Sequence, residues 1–310
     1  MESCEVLVVG GGAAGLSAAL VLGRARRRVV VVDVGAPRNA PAAHMQGFLS
    51  RDGMPPAGLL HVGRDEVRGY GVTITTGSVS ELVKTAAGFE ARLECGQRVG
   101  ARKVLVATGL RDELPDITGL RQRWGTDVLH CPYCHGWEVR DKALGVLWNG
   151  PDTARFANIV RQWTSDLVLF APDDVLAEAD RPLLAARSVR VVEGGVDRVV
   201  VESDHLTGVL MRDGRTVARD ALFVPPRLVP NDTLLTGLGC LTDDLGWVVV
   251  GVNGTTSIPG VWAVGNVSNP RAQVITAAGE GSAAAISINA DLVDDDVREA
   301  VHEVTQVAPP

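Results

Sequence analysis

The stretch Val6-Leu7-Val8-Val9-Gly10-Gly11-Gly12-Ala13-Ala14-Gly15 decides how the chain folds. Its apolar start reads as a strand buried on both faces, and Gly10, Gly12 and Gly15 fit the spacing G-x-G-x-x-G. Leu16 to Arg26 has the apolar spacing of a helix, and Val29 to Val32 is a second apolar run closed by Asp33. Each residue type has a task in such a unit. Gly10 makes the turn, Gly12 lets the backbone reach a pyrophosphate, and Gly15 lets helix and strand pack closely. The helix N-terminus then faces the phosphates, and Asp33 accepts from a ribose hydroxyl. The setting predicts a bound dinucleotide, but the motif alone does not separate a flavin from a nicotinamide nucleotide.

Outward from this unit the pattern repeats. Val72-Thr73-Ile74, Phe89 to Cys95 and Val104-Leu105-Val106 read as short strands of an inserted β-meander. A second strand–loop–helix–strand unit begins at Leu144-Gly145-Val146-Leu147, with its helix from about Thr153 to Trp163 and its next strand at Leu167 to Phe170. Residues 189–224 again resemble meander strands. Strands at Trp247 to Val250 and Val261 to Val264 then lead into a small-residue helix from Gln273 to Leu292. The expected fold is α/β: two Rossmann-like, three-layer ββα domains, one interrupting the other. Residues 1–112 and 243–310 form the outer domain, and 113–242 the central one. The tail from Val301 to Pro310 carries no clear signal.

Composition narrows the function classes. Thirty Lys+Arg against 37 Asp+Glu give a net charge of −7, so no basic surplus exists to offset a nucleic-acid backbone. Glycine is in excess, with 35 in 310 residues, against a usual ~7%. Val6 to Gly23 is uncharged and followed by Arg24, but five glycines interrupt it and Glu2 and Glu5 replace a basic start. A cytoplasmic protein without a membrane anchor is expected. Five cysteines at 4, 95, 131, 134 and 240 are too sparse and odd in number for a disulfide scaffold. Cys4, Cys95 and Cys240 are expected to be ordinary buried thiols.

Cys131-Pro132-Tyr133-Cys134-His135-Gly136 is the most informative segment. Two cysteines three apart at a helix start can close a small disulfide ring, and the helix N-terminus favours the thiolate. A structural zinc site wants a second pair at suitable spacing, and ligands drawn from His130 to His135 alone are too compressed for a tetrahedron. No metal is expected.

Ala107-Thr108-Gly109 after a strand, and Gly260-Val261-Trp262-Ala263-Val264-Gly265-Asn266 near the C-terminus, resemble two further fingerprints of the thioredoxin reductase-like FAD flavoproteins. The resemblance covers nearly the whole chain, split layout included. It implies FAD, held by Gly10, Gly12, Ala14, Gly15, Asp33, Arg38, His44, Ala107, Thr108, Gly109, Gly265, Asn266, Gln273 and Val274. Asn266 stands where the family has an aspartate. The resemblance also implies that Cys134 is the thiol nearest the flavin and Cys131 the interchange thiol that meets substrate, and it implies a homodimer. The family's aspartate after the pair is His135 here, a residue able to deprotonate an incoming thiol at neutral pH. The other reading of His135 is a structural histidine beside the pair.

Reductases of this family bind NADPH in the central domain through a second glycine-rich loop and an arginine cluster. Here the loop reads Trp148-Asn149-Gly150-Pro151-Asp152-Thr153-Ala154, with Asn149 and Pro151 at the glycine positions. Pro151 has no N–H to donate. After the next strand, Ala171-Pro172-Asp173-Asp174 offers two carboxylates where a 2′-phosphate would lie. NADPH is not expected, and NADH is disfavoured by the same loop. Cys-Pro-Tyr-Cys-His with a degenerate nucleotide loop is similar to the dithiol oxidases that close disulfides in small natural products, of the holomycin, gliotoxin and romidepsin type. The implied partners are a small-molecule dithiol and O2, with hydrogen peroxide released. The substrate pocket would draw on His130, Tyr133 and Trp148, although Trp148 could instead plug the vacated nucleotide site. An NAD(P)H- or ferredoxin-dependent disulfide reductase, or a non-catalytic flavoprotein, are the other readings.

Overall fold

In the computed structural model, which describes residues 2–307, strict alternation along the apolar strands builds a three-layer unit. The strand Glu2–Val9 pairs in parallel with Val29–Asp33 on one side and with Arg98–Val106 on the other. Val6, Val8, Val29 and Val31 point to one face, against Ala18 and Leu22 of the helix Ala13–Arg24 and Ala284, Ala285 and Ile288 of the helix Val274–Val307. Leu7, Val9, Val30 and Val32 point to the other, where Leu82, Phe89, Ala91 and Leu93 of the meander cover them. This period of two is what a parallel sheet buried on both faces requires.

Arg98–Val106 belongs to two layers. Its first half pairs antiparallel with Gly88–Leu93 (Phe89 opposite Ala101), and its second half pairs in parallel with Val261–Ala263 (Val104 opposite Val261). Thr73–Thr76 extends the parallel sheet beside Val29–Asp33 and is not a meander strand, as its sequence had suggested. Trp247 to Val250 is not a strand either; only Thr242 and Val248 form an isolated bridge there.

The second unit repeats the architecture. Its parallel sheet runs Arg190–Glu193, Leu167–Ala171, Leu144–Leu147, Ala221–Phe223, Val128–Leu129. Leu144, Val146 and Leu169 face the helix Thr153–Val160, while Leu147, Val168 and Phe170 face a three-stranded meander of residues 196–218. One compact unit comprises Met1–Arg38, Ala57–Arg111 and Pro230–Pro310, and the other Asn39–Pro56 and Asp112–Val229. The return to the outer unit thus falls at residue 230, earlier than the expected 243, and residues 39–56 pack with the central unit.

Helix ends depart from expectation in explicable ways. The first begins at Ala13, directly on Gly12. The helix from Thr153 stops at Val160, and Trp163 lies in the turn that follows. The last runs from Val274 to Val307, well past Leu292 and through Val301; residues 308–310 lie outside the described residues. Charge holds the added turns: Lys103, buried on the sheet, meets Asp291 and Asp295, and Arg27 bridges Glu5 and Asp296 at 2.8 and 2.9 Å. No helix among the described residues is long and apolar enough to cross a membrane.

Candidate functional site: a dinucleotide cradle and a dithiol turn

The outer unit's first turn is shaped by exclusion. Gly10 has φ +103°, and a Cβ there would fall on the carbonyl oxygen of Ala107. A Cβ on Gly15 would fall on the Gly10 carbonyl, so that glycine lets the helix start hard against the strand. At Gly12 a Cβ would meet nothing, which leaves open space beside the helix end. The first-turn amides of Ala13–Arg24 have no intrahelical acceptor and face that space. Asp33 is held ready, with Gly11 N–H donating to one carboxylate oxygen at 3.0 Å and Arg64 to the other at 3.0 Å.

Several of the remaining predicted contacts of this unit are clamped by residues the motifs did not reveal. Ala107, Thr108 and Gly109 are clasped by Asn231: its Nδ2 donates to the Thr108 carbonyl at 3.0 Å, and Thr108 Oγ1 donates to its carbonyl at 2.6 Å. Asn231 N–H also donates to the Gly109 carbonyl at 3.0 Å. Gly265, at φ +71°, donates its N–H to Glu280 at 2.8 Å. Asn266 explains its own departure from aspartate. Its Nδ2 donates to the carbonyls of Asn269 (2.9 Å) and Ala272 (3.0 Å), which a carboxylate cannot do, while its Oδ1 accepts from Arg38 at 3.2 Å. The Gln273 carbonyl takes the first bond of the C-terminal helix, from Ala277 at 2.9 Å, and Val274 opens it. That helix crosses the first at Gly281, where a Cβ would fall on the carbonyl of Ala14. Arg64, Asn231, Glu280 and Gly281 had no motif to find them; only Gly281 belonged to a visible run of small residues. Together the open space at Gly12, the free helix end and the fixed Asp33 fit a dinucleotide such as FAD. His44 is exposed on the segment that packs with the central unit.

The dithiol lies in the central unit. Cys131 is the N-cap of a one-turn helix, Pro132–His135, and its carbonyl accepts from the N–H of both Cys134 and His135 at 3.1 Å. Proline in the first turn suits the end where an N–H has no acceptor. Gly136 continues the turn and admits no side chain, since a Cβ would lie 2.5 Å from the Pro132 carbonyl and 2.8 Å from the Trp163 ring. Trp163 therefore braces the turn; it also meets Tyr133 edge-on, centroids 5.5 Å apart. Burial pushes the pKa of His135 below its ordinary value, and the charge of Glu138 pulls the other way. The shift favours the neutral, proton-accepting imidazole. His130 stacks on Phe156 at 6.5 Å. Cys4 and Cys240 are buried as expected, but Cys95 is exposed at a turn tip, where Glu94 and Gly96 leave nothing to cover it. No cluster of metal-ligating side chains occurs among the described residues.

The second nucleotide loop is closed upon itself. Asn149 N–H donates to Thr153 Oγ1 at 3.1 Å, and Thr153 donates from both its N–H (3.1 Å) and its hydroxyl (2.7 Å) to the Gly150 carbonyl. Asn149 Nδ2 is spent on the Pro225 carbonyl at 2.8 Å. Trp148 is half-buried against the unit's core.

Comparison with known proteins agrees with this anatomy. The pattern of the pyridine nucleotide-disulphide oxidoreductases matches residues 4–281. The chain is 30% identical over 304 residues to thioredoxin reductase sirT of Leptosphaeria maculans, covering 92% of this chain and 93% of that protein. The crystal structure of HlmI superposes with a TM-score of 0.96 at 55% identity, over 98% of this chain and 97% of that one. That of the thioredoxin reductase TrxB from Bacillus anthracis superposes with a TM-score of 0.90 at 30% identity, over 94% and 99%.

Proposed function

The chain belongs to the pyridine nucleotide-disulphide oxidoreductase family, FAD-binding enzymes, and within it we propose that it works as a dithiol oxidase: it closes a disulfide in a small molecule and passes the electrons to O2. One observation carries this reading. In the loop that would cradle the pyrophosphate of NADPH, Asn149 spends its N–H on Thr153 and its Nδ2 on the Pro225 carbonyl, Thr153 turns its N–H and hydroxyl to Gly150, and Pro151 has no N–H to offer. The exposed Asp173 and Asp174 that follow the next strand add negative charge where a 2′-phosphate would need positive charge. With no nicotinamide to reduce it, the redox centre takes its electrons from the thiol side.

The chain's own residues supply the thiol chemistry. A substrate thiol gives its proton to neutral His135, and the resulting thiolate attacks Cys131 of the oxidised pair, displacing Cys134 as thiolate. The second substrate thiol then attacks the mixed disulfide, releasing Cys131 and the closed substrate disulfide. Two electrons have moved from substrate to the pair, which is left as the Cys134 thiolate and the Cys131 thiol; one substrate proton rests on His135 and the second, from the second substrate thiol, on Cys131. Bound FAD would supply the acceptor that restores the pair's disulfide and delivers the electrons to O2 as hydrogen peroxide. The outer unit's residues would hold it: Gly12 and the helix end at the pyrophosphate, Asp33 at the ribose, and Gly265 with the loop that Asn266 ties down.

Oxygen uptake and peroxide release by the FAD-loaded protein test this directly. The expected result is one peroxide per small dithiol oxidised, with no requirement for NADPH, and no turnover by Cys131→Ser although FAD is retained. Dithiol-independent oxygen uptake driven by NADPH would contradict it.

A further inference from the structure

The helical path that carries the dithiol does not end at His135. Gly136 keeps right-handed helical angles (φ −63°, ψ −31°), and the chain continues in turns through Asp141. Tyr133 and Trp137, four apart on this path, fall on one face, with Arg140 a further turn along it. Both aromatic residues are 66% exposed. Neither is loose. The Arg140 guanidinium stacks 4.0 Å over the Trp137 ring while its Nη1 donates to the Trp137 carbonyl at 2.6 Å, so the indole is pinned with one face covered and one open. Tyr133 is fixed edge-on by Trp163.

A second segment borders this face. Residues 45–54 close on themselves through Met45 N–H to the Met54 carbonyl, Gly53 N–H to the Met45 carbonyl (each 2.9 Å), and Gly47 N–H to Asp52 at 2.7 Å. Gln46 ties the loop to the dithiol segment through Glu138 at 3.2 Å, and its tip presents Leu49, 84% exposed. Scattered surface apolar residues need no explanation. Here Tyr133 stands between the two cysteines, Trp137 follows Cys134 by three residues, and the loop of Leu49 is tied to the same segment at Glu138.

The chemistry of the open indole face selects its occupant. A flat ring gains dispersion and loses hydration on it, and a side chain already pinned gives up little entropy on binding. The cation behind the ring withdraws electron density, so the open face favours an electron-rich or anionic ring over a cationic one. A conjugated ring bearing a thiolate has this character; an aliphatic dithiol does not.

We propose that Trp137, backed by Arg140, is the surface on which a flat, conjugated small-molecule dithiol stacks while its thiols meet Cys131, with Tyr133 and Leu49 bounding the face. This rests on the dithiol oxidase reading and adds to it the substrate class and the residue that selects it. Two dithiols that each close a five-membered ring test it on the FAD-loaded full chain in air: 2-(mercaptomethyl)benzenethiol and propane-1,3-dithiol. Stacking of this kind predicts that Trp137→Ala lowers the aromatic-to-aliphatic ratio of kcat/KM about three- to tenfold, through the KM of the aromatic substrate. Trp137→Leu repeats the loss, Trp137→Phe retains most of the preference, and Arg140→Gln lowers it less. An unmoved ratio in Trp137→Ala and Trp137→Leu overturns the proposal, as does equal loss on both substrates. Loss confined to turnover of thioredoxin would assign the face to a protein partner and also overturn it. If the wild-type protein oxidises neither dithiol in air, the oxidase reading itself falls; if it oxidises both and only the ratio fails to respond, the stacking surface alone falls.

Discussion

His135 owes its usefulness to its surroundings. Burial beside the dithiol depresses its pKa below the ordinary 6.5, and Glu138 partly offsets that. The imidazole is therefore less charged at pH values where an exposed histidine is half charged, and its neutral form can take a thiol proton there. The acid limb of kcat/KM for a small dithiol is expected below pH 6.5. Glu138→Gln removes the opposing charge and moves that limb lower still; His135→Gln abolishes it and lowers kcat/KM about 10²-fold. An acid limb unmoved by either substitution would leave His135 a structural residue. The same shift has a stability consequence of definite sign. The unfolded chain binds this proton more readily than the folded one, so the folded state loses stability as pH falls below 6.5 towards the depressed value.

At the scale of elements, the flavin-type unit depends on how closely two helices cross. Gly281 of the long C-terminal helix sits on the Ala14 carbonyl, whereas Gly279, nearly opposite on the same helix, has nothing within reach of a Cβ. The two glycines therefore respond oppositely to alanine. Gly281→Ala must part the helices and costs about 1–3 kcal/mol, with weaker FAD retention because Ala14 lies in the cradle. Gly279→Ala has space and gains about 0.5–1 kcal/mol from lower backbone entropy. Thermal unfolding of the two variants, with FAD content measured alongside, checks this; equal melting shifts would show that the helix crossing is not tight. The same scale shows where sequence reading stopped. The glycine turn, the dithiol and the degenerate loop were legible because each needs specific residue types at fixed spacing. Asn231, Glu280 and Arg64 were not, because they act across the fold through single hydrogen bonds, and one polar residue in a loop or on a helix has no spacing to betray it. The place of Thr73–Thr76 is not legible because its threonines suit a meander and a sheet edge equally. The full length of the last helix is not legible because its acidic second half pairs with Arg27, Arg102 and Lys103, partners distant in sequence.

Over the whole molecule, the chain contains one architecture twice, with the two copies specialised in opposite directions. In the outer unit, glycines clear space at a helix end and leave its amides open. In the central unit, the corresponding loop has an asparagine and a proline, and the donors of Asn149 and Thr153 turn to Thr153, Gly150 and Pro225. The glycine excess of the sequence belongs to the first copy, and its lack at two positions of the second is what the proposed direction of electron flow rests on. The central claim is that electrons enter through the dithiol and not through a nicotinamide. Anaerobic titration of the oxidised, FAD-loaded protein measures this most directly. The account predicts that a small dithiol bleaches the flavin absorbance stoichiometrically while NADPH and NADH leave it unchanged, and that admitting air restores the absorbance with release of peroxide. Rapid bleaching by either nucleotide would contradict it.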